Sequence, residues 1–121
     1  MFEIGCEYTR DEIHENLGGS KQSYLPTVLG RVVAACLKLE LNPHAPNVVL
    51  CGKGLIIASA GVALSMRHDP LPVFIKRGIN RWEYRGNFKV IASYSSGPQF
   101  EALIAGSGRN PSDVSLAIRL A

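Results

Sequence analysis

Glycine and proline interrupt this chain so often that no long helix can be drawn through it. Twelve glycines and seven prolines fall within 121 residues. Glycine opens left-handed backbone conformations, and proline fixes φ and removes a hydrogen-bond donor. The chain must therefore fold as short elements joined by many turns. Its length suits a single domain covering residues 1–121. Hydrophobic residues make up 46% and charged residues 19%. That is enough apolar content for a core without staples, and too little charge for disorder.

Between the interruptions the residue pattern resolves individual elements. Phe2 to Cys6 reads as a short strand. Thr9-Arg10-Asp11-Glu12 is a capping box, which predicts a helix with Thr9 as N-cap and Glu12 reaching back to it. Ile13 and Leu17 form an i, i+4 apolar pair on that helix, and Gly18 ends it. Gly18 to Thr27 follows neither period and reads as a loop. Arg31 to Leu39 is apolar and rich in β-branched residues, as a buried strand would be. Leu41 to Asn47, with two prolines, is a loop, and Val48 to Cys51 a further strand. Gly52-Lys53-Gly54 leads into a helix from about Leu55 to Arg67, stopped by Pro70 and Pro72. Pro72 to Lys76, Arg81 to Arg85 and Phe88 to Tyr94 form a strand meander, with turns at Gly78 and at Arg85-Gly86-Asn87. Gln99 to Ala105 is a short helix. At the end Val114, Leu116, Ile118 and Leu120 alternate with Ser115, Ala117 and Arg119, a strand with one face on a core. The expected fold is α+β: a curved, mostly antiparallel sheet that could close toward a barrel, with two or three short helices against it.

The net charge is +3, but its distribution is more informative. Residues 1–16 carry five carboxylates against Arg10 alone, and residues 76–89 carry five lysines and arginines against Glu83 alone. Such a field suits a polyanion on one face, and it equally suits an ordinary solvated strand pair. Cys6, Cys36 and Cys51 are odd in number, lack CxxC spacing and sit in apolar runs. They read as buried free thiols in a reducing, cytoplasmic setting. Glu3 and Glu7 interrupt the start, so no signal peptide is expected there. The longest apolar stretch, Gly54 to Met66, is too short for a bilayer span.

Few constellations point to catalysis. His14, His44 and His68 share no ligand spacing with one another or with the cysteines, so no metal site is expected. Ser65, His68 and Asp69 imitate a triad in composition, but their place before two prolines reads as a helix terminus. Gly52-Lys53-Gly54 matches neither the Walker nor the dinucleotide fingerprint. A tight strand-to-helix turn accounts for it, although Lys53 could meet a phosphate there. The loop Ser20-Lys21-Gln22-Ser23-Tyr24-Leu25-Pro26 is more distinctive. It offers hydroxyl and amide donors, a cation and a rigid apolar knob, which together could hold a nucleic-acid backbone or a base edge. The alternative is a plain connection whose Tyr24, Leu25 and Pro26 anchor in the core. Trp82 and Tyr84 alternate with Arg81, Glu83 and Arg85, and their aromatic face reads as core.

The order of these elements resembles a known family. Tyr8-Thr9-Arg10 followed by Ile13-His14, the Gly18–Pro26 loop, Arg31 to Cys36, Leu41 to Pro46, Pro72 to Arg77 and Trp82-Glu83-Tyr84-Arg85-Gly86 are together similar to the sulfur-binding domain of phosphorothioate-dependent HNH restriction endonucleases. The resemblance implies a non-catalytic module, part of restriction-modification, that recognises double-stranded DNA in which sulfur replaces a non-bridging phosphate oxygen. It implies no cofactor, and it places cleavage in a separate HNH nuclease that is fused to the reader or partners it. A phosphorothioate keeps its charge, so cations must meet it. Its sulfur accepts hydrogen bonds poorly, so an apolar patch would select it over oxygen. On this reading Tyr24, Leu25 and Pro26 are the patch. Arg10, Lys21 and Arg31 supply charge, Ser20, Gln22 and Ser23 bond oxygens, and His14, Lys76 and Arg77 complete the DNA surface. Two alternatives stay open: a reader of other modified or unmodified DNA, and a small ligand-binding or hydrolase domain built on the Gly52–Gly54 turn.

Overall fold

The computed structural model describes residues 1–121. The chain is α+β, with nine strands and three α-helices. The capping box forms as expected. Thr9 Oγ1 accepts from the Glu12 N–H at 3.1 Å, the Glu12 carboxylate accepts from the Thr9 N–H at 2.9 Å, and α1 runs Arg10–Leu17. Strand β1 (Glu7–Tyr8) pairs antiparallel with β7 (Arg81–Phe88), which pairs antiparallel with β6 (Leu71–Gly78). The fourth strand of that sheet, β4 (Ala35–Leu37), runs parallel to β6. A second sheet is antiparallel in the order β5 (Val48–Gly52), β9 (Val114–Leu120), β8 (Val90–Tyr94). A small hairpin joins β2 (Thr27–Val28) to β3 (Arg31–Val32).

Strand alternation sends each large sheet to two cores. One face of each sheet meets α2 (Leu55–Ser65) in a central cluster that includes Leu37, Val49, Leu64, Val73, Ile118 and Leu120. The opposite face of the first sheet buries Cys36, Phe74, Trp82 and Tyr84 beneath Ile13 of α1. The opposite face of the second buries Val48, Leu50, Val114 and Ala117 beneath Phe100 and Ile104 of α3 (Pro98–Ile104). This double cover explains why β4 and most of β5 are apolar without alternation.

Several elements differ from the sequence reading. Arg31–Leu39 is two strands rather than one. The chain turns through Leu29 and Gly30, both at positive φ, so β3 closes a hairpin before β4 enters the main sheet. Phe2–Cys6 is a turn, closed by Cys6 N–H donating to Glu3 O at 3.0 Å; Gly5 N–H and Cys6 O each bond the Tyr84 backbone at 2.9 Å, and the strand itself begins at Glu7. Gly86 is not a turn. It lies inside β7 at φ +112, opposite the register shift between Val73 and Phe74, so the irregularity bends a continuous strand. In β9, Leu116, Ile118 and Leu120 face the central core, but Ala117 is also buried because α3 covers the other face. Cys6 is exposed, against expectation, because its segment is a surface turn rather than a strand; Cys36 and Cys51 are buried.

The two buried thiols are held protonated. Burial pushes Cys36 up to about 12 and Cys51 up to about 11. A thiol reagent at neutral pH should therefore modify Cys6 rapidly and the other two only on unfolding. Mass spectrometry of the partly labelled protein checks this, and early labelling at Cys36 would contradict the packing beneath α1.

Candidate nucleotide-binding cleft

Arg10 organises the site although it is buried, with 8% of its surface exposed. Its Nη2 donates to the carbonyls of Ser20 at 2.8 Å and Ser23 at 2.9 Å. Its guanidinium carbon lies 5.2 Å from the Trp82 ring centroid. Its backbone N–H donates to Asn80 Oδ1 at 3.0 Å, tying α1 to the β6–β7 turn. The Gly18–Pro26 loop is thus clamped by a cation, and further bonds stiffen it. His14 Nδ1–H donates to Gly19 O at 2.6 Å. Ser20 Oγ accepts from the N–H groups of Gln22 and Ser23, both at 3.0 Å. Tyr24 Oη donates to Ile57 O at 2.6 Å, pinning the loop to α2, and burial raises the Tyr24 pKa.

Beside this loop a cleft of about 830 Å³ opens between the β6–β7 turn, the N-terminal end of α2 and the segment after β4. Tyr24, Cys36, Leu50, Ile56, Ile57 and Trp82 give it an apolar and aromatic wall. Arg10, Lys21, Lys38, Lys76 and Arg109 also line it, and no lining residue is acidic. Lys21 is matched outside the cleft by Asp11 at 3.0 Å, whereas Lys38, Lys76, Arg10 and Arg109 have no carboxylate partner within 4.0 Å. Lys76 Nζ sits 5.8 Å from the Trp82 centroid. The arrangement can hold a planar, partly apolar ligand that carries negative charge.

The expected site residues divide accordingly. Arg10, Ser20, Lys21, Gln22, Ser23, Tyr24 and Lys76 come together around the cleft. His14 supports the loop from below through Gly19. Leu25 and Pro26 do not form an apolar patch for a ligand. Both are buried, Leu25 with 1% exposure in the central core, so only Tyr24 of that trio reaches the cleft. Arg31 lies away from it, paired with Asp69 along a separate shallow groove beside α2. Arg77 is paired with Glu83 at 2.6 Å and does not line the cleft. The triad-like grouping is a helix terminus. Ser65 Oγ donates to Val62 O at 2.6 Å, and Asp69 bonds Arg31 and Arg67 rather than His68. Of the Gly52–Gly54 turn, only Gly52 reaches the cleft.

Sequence reasoning missed Lys38, Asn42, Asn80 and Arg109. Each stands singly in a turn or at a strand end, and only tertiary packing brings them together. Asn80 carries one local signal: it adopts φ +51 at a hairpin tip, a conformation asparagine tolerates better than most residues.

Among solved structures, the chain is similar to a modification-dependent TagI restriction endonuclease, with a TM-score of 0.59 at 12% identity over 99% of this chain and 49% of that one. It therefore spans about half the length of that enzyme. It is also similar to the SUVH5 SRA domain in a structure titled as a complex with hemimethylated CG DNA, with a TM-score of 0.58 at 17% identity over 98% of this chain and 86% of that one. At these identities the likeness is one of fold. No curated protein matches the chain. A family profile covers residues 7–102, from β1 through most of α3, and so spans the whole loop and nearly all of the cleft. The chain belongs to that family, described as a domain of unknown function (DUF6697).

Proposed function

We propose that this chain is a non-catalytic binding module for chemically modified double-stranded DNA, and that the cleft receives the modified nucleotide. The observation that carries this reading is the joining of five cations, no carboxylate and an aromatic wall in one cavity of nucleotide size. Cations meet the phosphates, and the wall takes the base or its substituent. A cleft that holds an extruded base can read a substituent that the duplex hides, by stacking and by hydrogen bonds to the flipped base. The likeness of fold to a domain named with hemimethylated DNA and to an enzyme named as modification-dependent supports the same assignment. The 121 residues act as one reading domain, and strand cleavage belongs to a nuclease that is fused or recruited. No helix is long and apolar enough to cross a membrane.

A second, narrower reading is phosphorothioate recognition. Its support is that Tyr24, Ile56 and Ile57 line the same cleft as Lys38 and Lys76. An anionic linkage with one soft, weakly accepting sulfur needs such a combination. A gel-shift panel separates the readings, using one duplex sequence unmodified, carrying methyl or hydroxymethyl bases, or carrying a phosphorothioate linkage. At least one modified duplex should bind tenfold or more tighter than the unmodified one, and equal affinity across the panel would sink both readings. For whichever duplex binds, log affinity should fall linearly with log salt. Lys38→Ala should flatten that slope by about 0.9 if Lys38 meets a phosphate. An unchanged slope would remove Lys38 from the contact surface.

A further inference from the structure

We propose that the cleft reads its base through an edge of oxygen acceptors, so that a keto base enters it and a base presenting an exocyclic amino group there is refused. The inference rests on the DNA-reading function above and concerns which base the cleft takes. Asn42 and Asn80 both line the cleft. Asn42 is 3% exposed, and its Oδ1 accepts from the Leu50 backbone N–H at 2.7 Å. Asn80 Oδ1 accepts from the Arg10 backbone N–H at 3.0 Å. A backbone N–H can only donate, so neither amide can be turned over without breaking its bond. Each oxygen therefore already holds one hydrogen bond, and both Nδ2 groups lack a partner within the chain.

Several other acceptors near the cleft each hold a bond already. The Ser20 and Ser23 carbonyls accept from Arg10. The hydroxyl oxygens of Ser20 and Ser23 accept from loop N–H groups. The Leu41 carbonyl accepts from Arg109 Nη1 at 2.7 Å. Only Gln22, exposed on the lip, offers an amide oxygen without such a duty. With Arg10, Lys38, Lys76 and Arg109 added, the interior is a field of donors that contains no carboxylate. The amino groups of cytosine and adenine need an acceptor, whereas O4 of thymine or uracil and O6 and N7 of guanine need donors. A site built to donate disfavours a partner that also donates, because N–H groups on both sides lose their water and stay unpaired when the base fills the cleft.

Two matched pairs exchange the oxo group for an amino group, the adjacent ring nitrogen changing with it from N–H donor to acceptor: 5-methyluracil against 5-methylcytosine, and hypoxanthine against adenine. Each is set opposite an abasic site in the same duplex, so that no member gives up a pairing partner. Fluorescence anisotropy with the whole chain should show the oxo member bound at least tenfold tighter. Equal binding within both pairs, or preference for the amino member, overturns the inference. Neither result touches the reading of modified DNA, which the panel above tests on its own. Asn80→Asp keeps an oxygen for the Arg10 N–H and replaces the donor by an acceptor, and aspartate also tolerates positive φ. This variant should shrink the oxo preference at least fivefold. Should that variant and Asn42→Asp both fold and keep the full preference, the amide nitrogens do not read the edge and the proposal falls.

Discussion

Arg10→Ala is expected to reduce affinity for the preferred modified duplex by a hundredfold or more. The side chain clamps two loop carbonyls and lies against Trp82, so its loss acts on the shape of the cleft as well as on its charge. Hydrogen bonds to a charged donor contribute about 1.5–3 kcal/mol each. Releasing both should loosen the segment from Ser20 to Ser23 and lower stability by roughly 3 kcal/mol on the same scale. Arg10→Lys separates the contributions. It keeps a cation near the cleft but has no planar fork to bridge the Ser20 and Ser23 carbonyls. If the clamp matters most, the lysine variant binds nearly as poorly as the alanine variant. If charge alone matters, it recovers most of the affinity. Affinity must be measured well below each variant's melting temperature. A folded Arg10→Ala that binds like the wild type would place the reading site outside this cleft.

The parts of this architecture legible in the sequence were those set by local physics. The capping box at Thr9–Glu12, the pair Ile13 and Leu17, and the strand near the C-terminus follow from spacing alone, and each stands within a residue or two of its expected bounds. The division of Arg31–Leu39 was hidden because apolar residues fill both halves and run on through Val33 and Ala34, where the chain leaves the β2–β3 hairpin and enters the main sheet. Leu25 and Pro26 were ambiguous for a similar reason. An apolar step in a polar loop reads as a ligand patch or as an anchor with equal ease. Gly19 decides for the anchor: at φ +79 it packs so closely that an added Cβ would lie 2.7 Å from Pro26 Cβ, and this turns the step inward. The loop itself and Arg10 were visible as candidates. The rest of the polar lining, Lys38, Asn42, Asn80 and Arg109, was not, because no sequence period links residues drawn from three separate turns. The basic meander was also over-read. Arg77 and Arg81 are matched by Glu83 and Glu7, and of the meander's cations only Lys76 lines the cleft.

Phe74→Ala should produce the largest loss of stability in the molecule. Phe74 is fully buried in β6, between the sheet and α1. Its ring centroid lies 5.0 Å from Phe2, 5.3 Å from Tyr84 and 6.3 Å from Tyr8, with the Phe2 and Tyr8 rings close to perpendicular to it. Truncating a buried phenylalanine costs about 3–5 kcal/mol through lost transfer energy and the cavity left behind. Edge-to-face pairs each add about 0.5–1.5 kcal/mol. Domains of this kind hold only about 5–15 kcal/mol in total, so the variant should sit near the edge of folding. For a chain of 121 residues the expected drop in Tm is roughly 10–20 °C. Phe74→Leu keeps most of the volume and should lose less than half as much. The cluster also fixes where Trp82 and α1 sit, since Ile13, Trp82 and Phe74 share it. Yet Phe74 does not line the cleft. The fraction of Phe74→Ala that remains folded at low temperature should therefore bind DNA with nearly wild-type affinity, while Arg10→Ala fails to bind even when fully folded. Should Phe74→Ala melt within a few degrees of the wild type, the layer beneath α1 would be loosely packed, and the rigid placement of Arg10 against Trp82 would lose its support.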